Sequence, residues 1–369
     1  MNTIPIIQNK QRIQWIDALR GLTMFLVVFQ HIFTYCFHEQ TEICFFFRTF
    51  RMPLFFFISG FVAYDIKRIC SAKIYRQQMF KKMRIQIIPI LVFGLIYTLF
   101  SPFPLKSGLS AYERIVHFIT SPWKYGYWFT WALMGMFAIY YSISFLLRKT
   151  NRKWTYGILI LLSFIFFLYS PNSTHNKLNT NNIIVGIFSL RHIAHYFQFF
   201  VFGSIFAHYR DRIFKYLDNI YVSGAIVSLF FGLYIALYAN SHLWLPHNNY
   251  SLWAVSFVTL FQNYCGILTL IMLFRNNESV FSQQKSIGRI LQFIGRRTLD
   301  IYLIHFFFLP DMKSVGDYFA ANPNILISSL FAFILAIAVL SLSLLVSAFL
   351  RTSPLLAHYL FGQKIQSHN

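Results

Sequence analysis

Long apolar stretches separated by short polar, mostly basic segments recur from one end of the chain to the other. About 20 mainly apolar residues suffice for a helix to cross a bilayer. On that measure the pattern predicts spans near 15–37, 43–66, 85–101, 127–147, 154–170, 183–207, 220–239, 251–273, 298–309 and 324–350. The runs are continuous rather than alternating, which selects helices over barrel strands. The longest connections, around 102–126 and 274–297, are too short to fold alone. The predicted architecture is all-α: a polytopic membrane bundle of about ten transmembrane helices. Residues 1–369 are expected to form a single integral-membrane domain, with no soluble domain attached and no internal repeat.

Composition supports the membrane reading. Hydrophobic residues make up 57% of the chain and charged residues 12%, against roughly 25% charge in a soluble domain. Forty-five Phe and 22 Tyr stand against 11 acidic residues, too few to coat a globular surface. The net charge of +21 would suit nucleic acid, but the basic residues fall in short runs between apolar stretches and no nucleic-acid-binding motif occurs. With the N-terminus inside, 23 Lys and Arg fall on inner segments and five (Lys106, Arg114, Lys124, Lys177 and Lys313) on outer ones. The positive-inside rule then places both termini in the cytoplasm. The first span lacks a small-residue cleavage site, so the N-terminus is expected to be retained. Cys36, Cys44 and Cys265 read as small core residues, and no cysteine spacing suggests a metal site.

Four basic residues remain, and all lie inside spans: Arg20, Arg48, Arg51 and Arg191. Ionisable side chains at membrane depth are costly and point to function. In the first span Asp17 and Arg20 are three residues apart and can share a face and pair. His31 follows Arg20 by eleven residues, which returns to within about 20° of that face after a rise of roughly 16 Å. The stripe is a polar path from the cytoplasmic mouth to a histidine deep in the membrane, the side chain best suited to take and return a proton near neutral pH. The seven basic residues from Lys67 to Arg84 suit either inner topology or phosphate binding. Arg48 and Arg51 either snorkel outward or meet an acceptor. Trp128 belongs to an interfacial aromatic belt or to a sugar-stacking platform. Arg191, His192 and His195 cluster within one turn without a carboxylate, a poor metal site and a better second polar patch. His305 either faces a cavity or bonds a neighbouring helix. Ser59 and Gly60 read as close-packing residues.

Three segments carry a resemblance. Arg12-Ile13-Gln14-Trp15-Ile16-Asp17-Ala18-Leu19-Arg20-Gly21, continuing to His31, resembles the opening of the acyltransferase family 3 membrane proteins, whose first helix bears an Arg, ten residues and a His. The run Met52–Phe61 (MPLFFFISGF) resembles that family's second-helix motif, and Ile294–His305 (IGRRTLDIYLIH) its late motif. Together these cover essentially the whole chain. The resemblance implies an O-acyltransferase of the bacterial cytoplasmic membrane. Such a protein moves an acyl group, usually acetyl, from cytoplasmic acetyl-CoA to a hydroxyl of an envelope polysaccharide, a lipid-linked glycan or an exported small molecule. It implies His31 as general base, with Asp17 orienting Arg20 or capping the helix, and Arg20 at the donor. Lys81, Lys82 and Arg84 would hold the coenzyme A phosphates, although the family often has Arg-x-x-Arg where this chain has Lys81-Lys82-Met83-Arg84. Arg48, Arg51, Trp128, Arg191, His195 and His305 would face the acceptor, with no metal. Without an appended esterase-like domain, the core would act alone, as a homodimer or with a separate envelope protein. The competing expectation, from buried Arg and His on ten helices, is a proton-coupled transporter or flippase of an anionic or sugar-linked solute.

Overall fold

The computed structural model describes residues 12–63, 65–100, 109–121, 124–170, 182–239 and 250–361; Lys10, Lys106, Lys177 and Lys364, counted above, lie outside them. Among the described residues the chain is helical and contains no strand. Seven helices are long and apolar enough to cross a membrane: Gln14–Cys36, Glu42–Ala63, Ala72–Phe100, Trp128–Leu146, Ile220–Leu237, Ala254–Asn276 and Ile325–Leu350. They fit a multi-pass helical membrane bundle.

Within them, α1 (Gln14–His31) passes into a π turn at Ile32–Cys36. The second expected span divides into α2 (Glu42–Arg48) and α3 (Arg51–Ala63), parted at Thr49–Phe50. The apolar pattern predicts the third span at 85–101, whereas α4 starts at Ala72 and runs 29 residues to Phe100. The basic segment before residue 85 is therefore largely helix rather than loop, because Lys, Arg and Gln are good helix formers. After α5 (Ala111–Thr120) come α6 (Trp128–Leu146) and α7 (Arg152–Leu168).

The three remaining expected spans are helical in less regular form. α7 has 17 residues. The span expected at 183–207 is broken at Ser189, whose φ is +51°, into α8 (Ile183–Ile187) and α9 (Leu190–Leu217). α9 therefore runs to Leu217, ten residues past the expected end. α10 (Ile220–Ala239), α11 (Tyr250–Asn276) and the amphipathic α12 (Ser286–Arg296) follow. The ninth span is α13 (Thr298–Ile304) with a 3-10 turn to Phe308. α14 (Lys313–Ala321), α15 (Ile325–Leu350) and α16 (Pro354–Phe361) complete the chain.

α1 is the central element. Its apolar window is 78% buried against 6% for that of α10, which leaves α10 at the periphery. Two helix crossings are made by paired glycines. A methyl on Gly21 would lie 1.9 Å from the Leu291 carbonyl oxygen of α12, and one on Gly295 1.8 Å from that of Asp17. Likewise a methyl on Gly60 would meet the Phe200 carbonyl of α9 at 1.8 Å, and one on Gly203 that of Phe57 at 1.9 Å. Small residues let membrane helices approach backbone to backbone. These crossings fix α1 against α12 and α3 against α9. Gly60→Ala is therefore expected to cost at least about 1–3 kcal/mol through forced separation, seen as a lower thermal midpoint in detergent. Gly157→Ala, with nothing within 4 Å of the added methyl, should leave the midpoint level or raised. Equal midpoints for both variants would refute the packing argument.

Candidate active site

Arg20, Met24, Val27 and His31 recur at intervals of four, three and four along α1, which places them on one face. That face lines a cavity of about 340 Å³ walled also by α3, α4, α6 and α13, a size usual for small-molecule sites. Most of the wall is apolar, including Phe55, Ile58, Leu133 and Phe137. Its polar groups include Arg20, His31, Arg51, Ser59, Lys82, Gln86, Thr298 and Tyr302.

The first-helix stripe is thus intact, with one change in its internal pairing. Arg20 forms no ion pair with Asp17 and instead donates from Nη2 to Thr298 Oγ1 at 3.0 Å. Asp17 does not line the cavity, and its backbone carbonyl packs against Gly295. At that point α1 is held against α12 by backbone contact at Gly21 and Gly295.

His31 meets His305. Their rings stack with centroids 5.1 Å apart and planes at 13°, and His31 Nδ1 lies 2.8 Å from His305 Nε2. His305 is fully buried, and its Nδ1 lies 2.8 Å from the Ile301 carbonyl oxygen. A carbonyl only accepts, so His305 carries its proton on Nδ1 and its Nε2 is a lone pair. It follows that His31 donates from Nδ1 to His305. The Nε2 of His31 is then its unprotonated nitrogen, the form a base requires. Phe306 packs on the His31 ring at 5.1 Å and Tyr35 meets it edge-on at 5.3 Å, so the imidazole is held on several sides.

α13 is tied into this site at several points. Tyr302 donates to the Gly126 carbonyl at 2.8 Å and accepts from the Phe129 amide at 3.1 Å. Tyr127 donates to the Leu303 carbonyl at 2.8 Å. Asp300, 3% exposed, accepts from Nε and Nη2 of Arg351 at 2.8–3.0 Å, from Ser347 and, more distantly, from Arg297. Lys124 is buried and donates to the carbonyls of Ile119, Ser121 and Gly186. Burial brings its pKa down to about 8.

The remaining candidates divide. Of the basic trio on α4, Lys82 lines the cavity with its ammonium 3.5 Å from the centre of the Phe137 ring, a cation–π contact. Lys81 is exposed, and neither it nor Arg84 lines the cavity. Arg51 is buried in the cavity wall and donates to the Leu26 carbonyl and to Gln30. Arg48 is exposed and bonds Gln40 at 3.1 Å, because the break at Thr49–Phe50 parts the two arginines. Trp128 lines the cavity and stacks on His192 at 4.1 Å and on Tyr196 at 5.7 Å. Arg191 and His195 stay outside the cavity wall, His195 bonding Ser170. Ser59 donates back to the Phe55 carbonyl, which fits a packing role.

Sequence reasoning missed Gln86, Thr298 and Asp300. Gln86 and Asp300 carried a readable signal as lone polar residues within apolar runs. Thr298 did not, since only the fold brings it to Arg20. No group of three His, Cys, Asp or Glu that could hold a metal ion occurs among the described residues.

No curated protein and no solved structure matches the chain. The family model described as an acyltransferase domain, Acyl_transf_3, matches residues 13–348, nearly the whole length and including Arg20, His31, the glycine crossings and α13. The chain therefore belongs to this family of acyltransferases, and the helical bundle around the Arg20–His31 cavity is that of a membrane enzyme.

Proposed function

We propose that the protein is an O-acyltransferase of the bacterial cytoplasmic membrane. It takes acetyl or a comparable short acyl group from cytoplasmic coenzyme A to a hydroxyl of an envelope polysaccharide, lipid-linked glycan or exported small molecule. The observation that carries this reading is the shared cavity of Arg20 and His31, with the His31 tautomer set by His305. The rise of roughly 16 Å between the two residues along α1 suits the pantetheine arm, which joins the nucleotide phosphates to the thioester. Arg20 and Lys82 hold the phosphate end, and His31 stands at the reacting end.

The donor supplies an activated acyl carbon, so a base and a fixed geometry are enough. The acceptor hydroxyl gives its proton to His31 Nε2 as its oxygen bonds the acyl carbon. The carbon–sulfur bond breaks, and the sulfur recovers the proton from His31. Protons and charges balance over the cycle, and the histidine ends as it began. Trp128, braced by His192 and Tyr196, offers a flat apolar surface on which a sugar ring can rest.

Arg20→Ala is expected to weaken acetyl-CoA binding by at least tenfold, about 1.4 kcal/mol, in calorimetry on purified protein in detergent. Binding that is unchanged in Arg20→Ala would remove Arg20 from the donor site. Absence of binding to folded wild-type protein would overturn acetyl-CoA as donor.

A further inference from the structure

The lining of the cavity contains three cationic side chains, Arg20, Arg51 and Lys82, and no carboxylate among the described residues. Among the described residues none of the three has an ion-pair partner within 4 Å. Arg20 donates to a threonine hydroxyl, Lys82 sits over a phenyl ring, and Arg51 donates to a backbone carbonyl and an amide oxygen. Arg51 is buried and Arg20 and Lys82 are half-buried; cations on an apolar wall without a counter-ion are unfavourable, which suits the cavity to anionic ligands. Donor phosphates account for Arg20 and Lys82. They do not reach Arg51, which begins α3 at the end opposite Ala63 and bonds Gln30, the residue beside His31. Arg51 is 7% exposed, and its Nε has no partner among the described residues. Gln86 is also 7% exposed, lines the same cavity, and has its Oε1 without a partner among them.

We propose that Arg51 seats a carboxylate close to the reacting centre, separate from the donor phosphates. The guanidinium fork fits a carboxylate in a way a lysine cannot. The anion has a catalytic use as well. When His31 holds the acceptor's proton, a neutralised Arg51 spares the low-dielectric cavity a pair of facing cations. This rests on the acyltransferase reading above. The carboxylate has two sources: the free end of a dicarboxylic acyl group carried on the thioester, or an acidic sugar of the acceptor.

The test is calorimetry on the full-length protein in detergent, wild type, Arg51→Gln and Arg51→Lys. The probes are coenzyme A, acetyl-CoA and succinyl-CoA, then glucuronate and glucose on coenzyme A-loaded protein. Coenzyme A should bind all three proteins alike. One acidic probe should bind the wild type at least tenfold tighter than its neutral counterpart, and Arg51→Gln should erase that preference. A succinyl preference assigns the carboxylate to the acyl group, and a glucuronate preference assigns it to the acceptor. Arg51→Lys, with charge but no fork, should keep a weaker preference, which also covers the case in which the Gln variant fails to fold. Neither preference in wild type, or one undiminished in the variants, overturns the proposal while leaving coenzyme A binding intact. Failure of the wild type to bind any coenzyme A ester instead overturns the donor assignment, and the glucuronate–glucose pair on unloaded protein then decides for or against Arg51.

Discussion

His31→Ala should lower kcat for acyl transfer by about 10²–10⁴-fold, the usual contribution of a positioned general acid–base group, while acetyl-CoA affinity and membrane insertion stay near wild type. His31 is not expected to carry donor affinity, because Arg20 and Lys82, the cations proposed to bind the donor, sit elsewhere on the cavity wall. On the proposed chemistry His305 acts through His31 as a positioning residue: it accepts from His31 Nδ1 and donates its own Nδ1–H to the Ile301 carbonyl. His305→Ala should therefore reduce kcat with little change in KM, and His305→Gln, which restores an acceptor oxygen, should recover part of the loss. The measurement is steady-state transfer in proteoliposomes with each variant's insertion checked separately. A His31→Ala enzyme that works at the wild-type rate would end the base assignment. A His305→Ala enzyme altered in KM alone would place His305 in binding instead.

Asp300→Ala should be the most destabilising single change away from the reacting centre, by about 3 kcal/mol, because it leaves Arg351, whose side chain is 14% exposed, without its counter-charge. Arg351 makes a forked contact to this carboxylate and lies over the Phe361 ring at 4.2 Å. Through the pair, the end of α15 holds α13 and the 3-10 turn after it, which together bear Thr298, Tyr302 and His305. The double variant Asp300→Ala with Arg351→Met should be less destabilised than Asp300→Ala alone, since no orphaned charge remains. Thermal unfolding in detergent of the two singles and the double closes the cycle. Losses that simply add would show that the two residues do not act as a pair.

Much of this was legible beforehand, for identifiable reasons. Apolar run length is imposed by the bilayer, so the helical bundle could be read directly, and helical geometry alone placed Arg20 and His31 on one face of α1. The start of α4 was misplaced, because a basic segment looks like a loop to a hydropathy reading, whereas its residues favour helix as it leaves the apolar layer. The two breaks, at Thr49–Phe50 and at Ser189, carry neither Gly nor Pro and so gave no warning. The first of them sends Arg48 to the surface and Arg51 into the cavity, a separation that three-residue spacing on one continuous helix denies. The His31–His305 contact joins positions 274 residues apart. Each histidine was visible as a polar residue in an apolar run, but their partnership belongs to the packing of α1 against α13. Asp300 is visible in sequence as an acid in an apolar run, but its partner Arg351 lies 51 residues away and only the fold joins them.

The histidine pair also bears on how the membrane keeps its energy. Relays that conduct protons need a chain of groups, each able to accept from one neighbour and release to the next. Here the chain ends on the Ile301 carbonyl, tied into its own helix, which can receive a hydrogen bond but cannot hand a proton onward. Along this route a proton taken up at Nε2 of His31 has one exit, back into the cavity and onto the reacting molecules. On the proposed chemistry an ester forms inside the bilayer while the dyad acts as an insulated dead end, and the proton-motive force is not short-circuited through it.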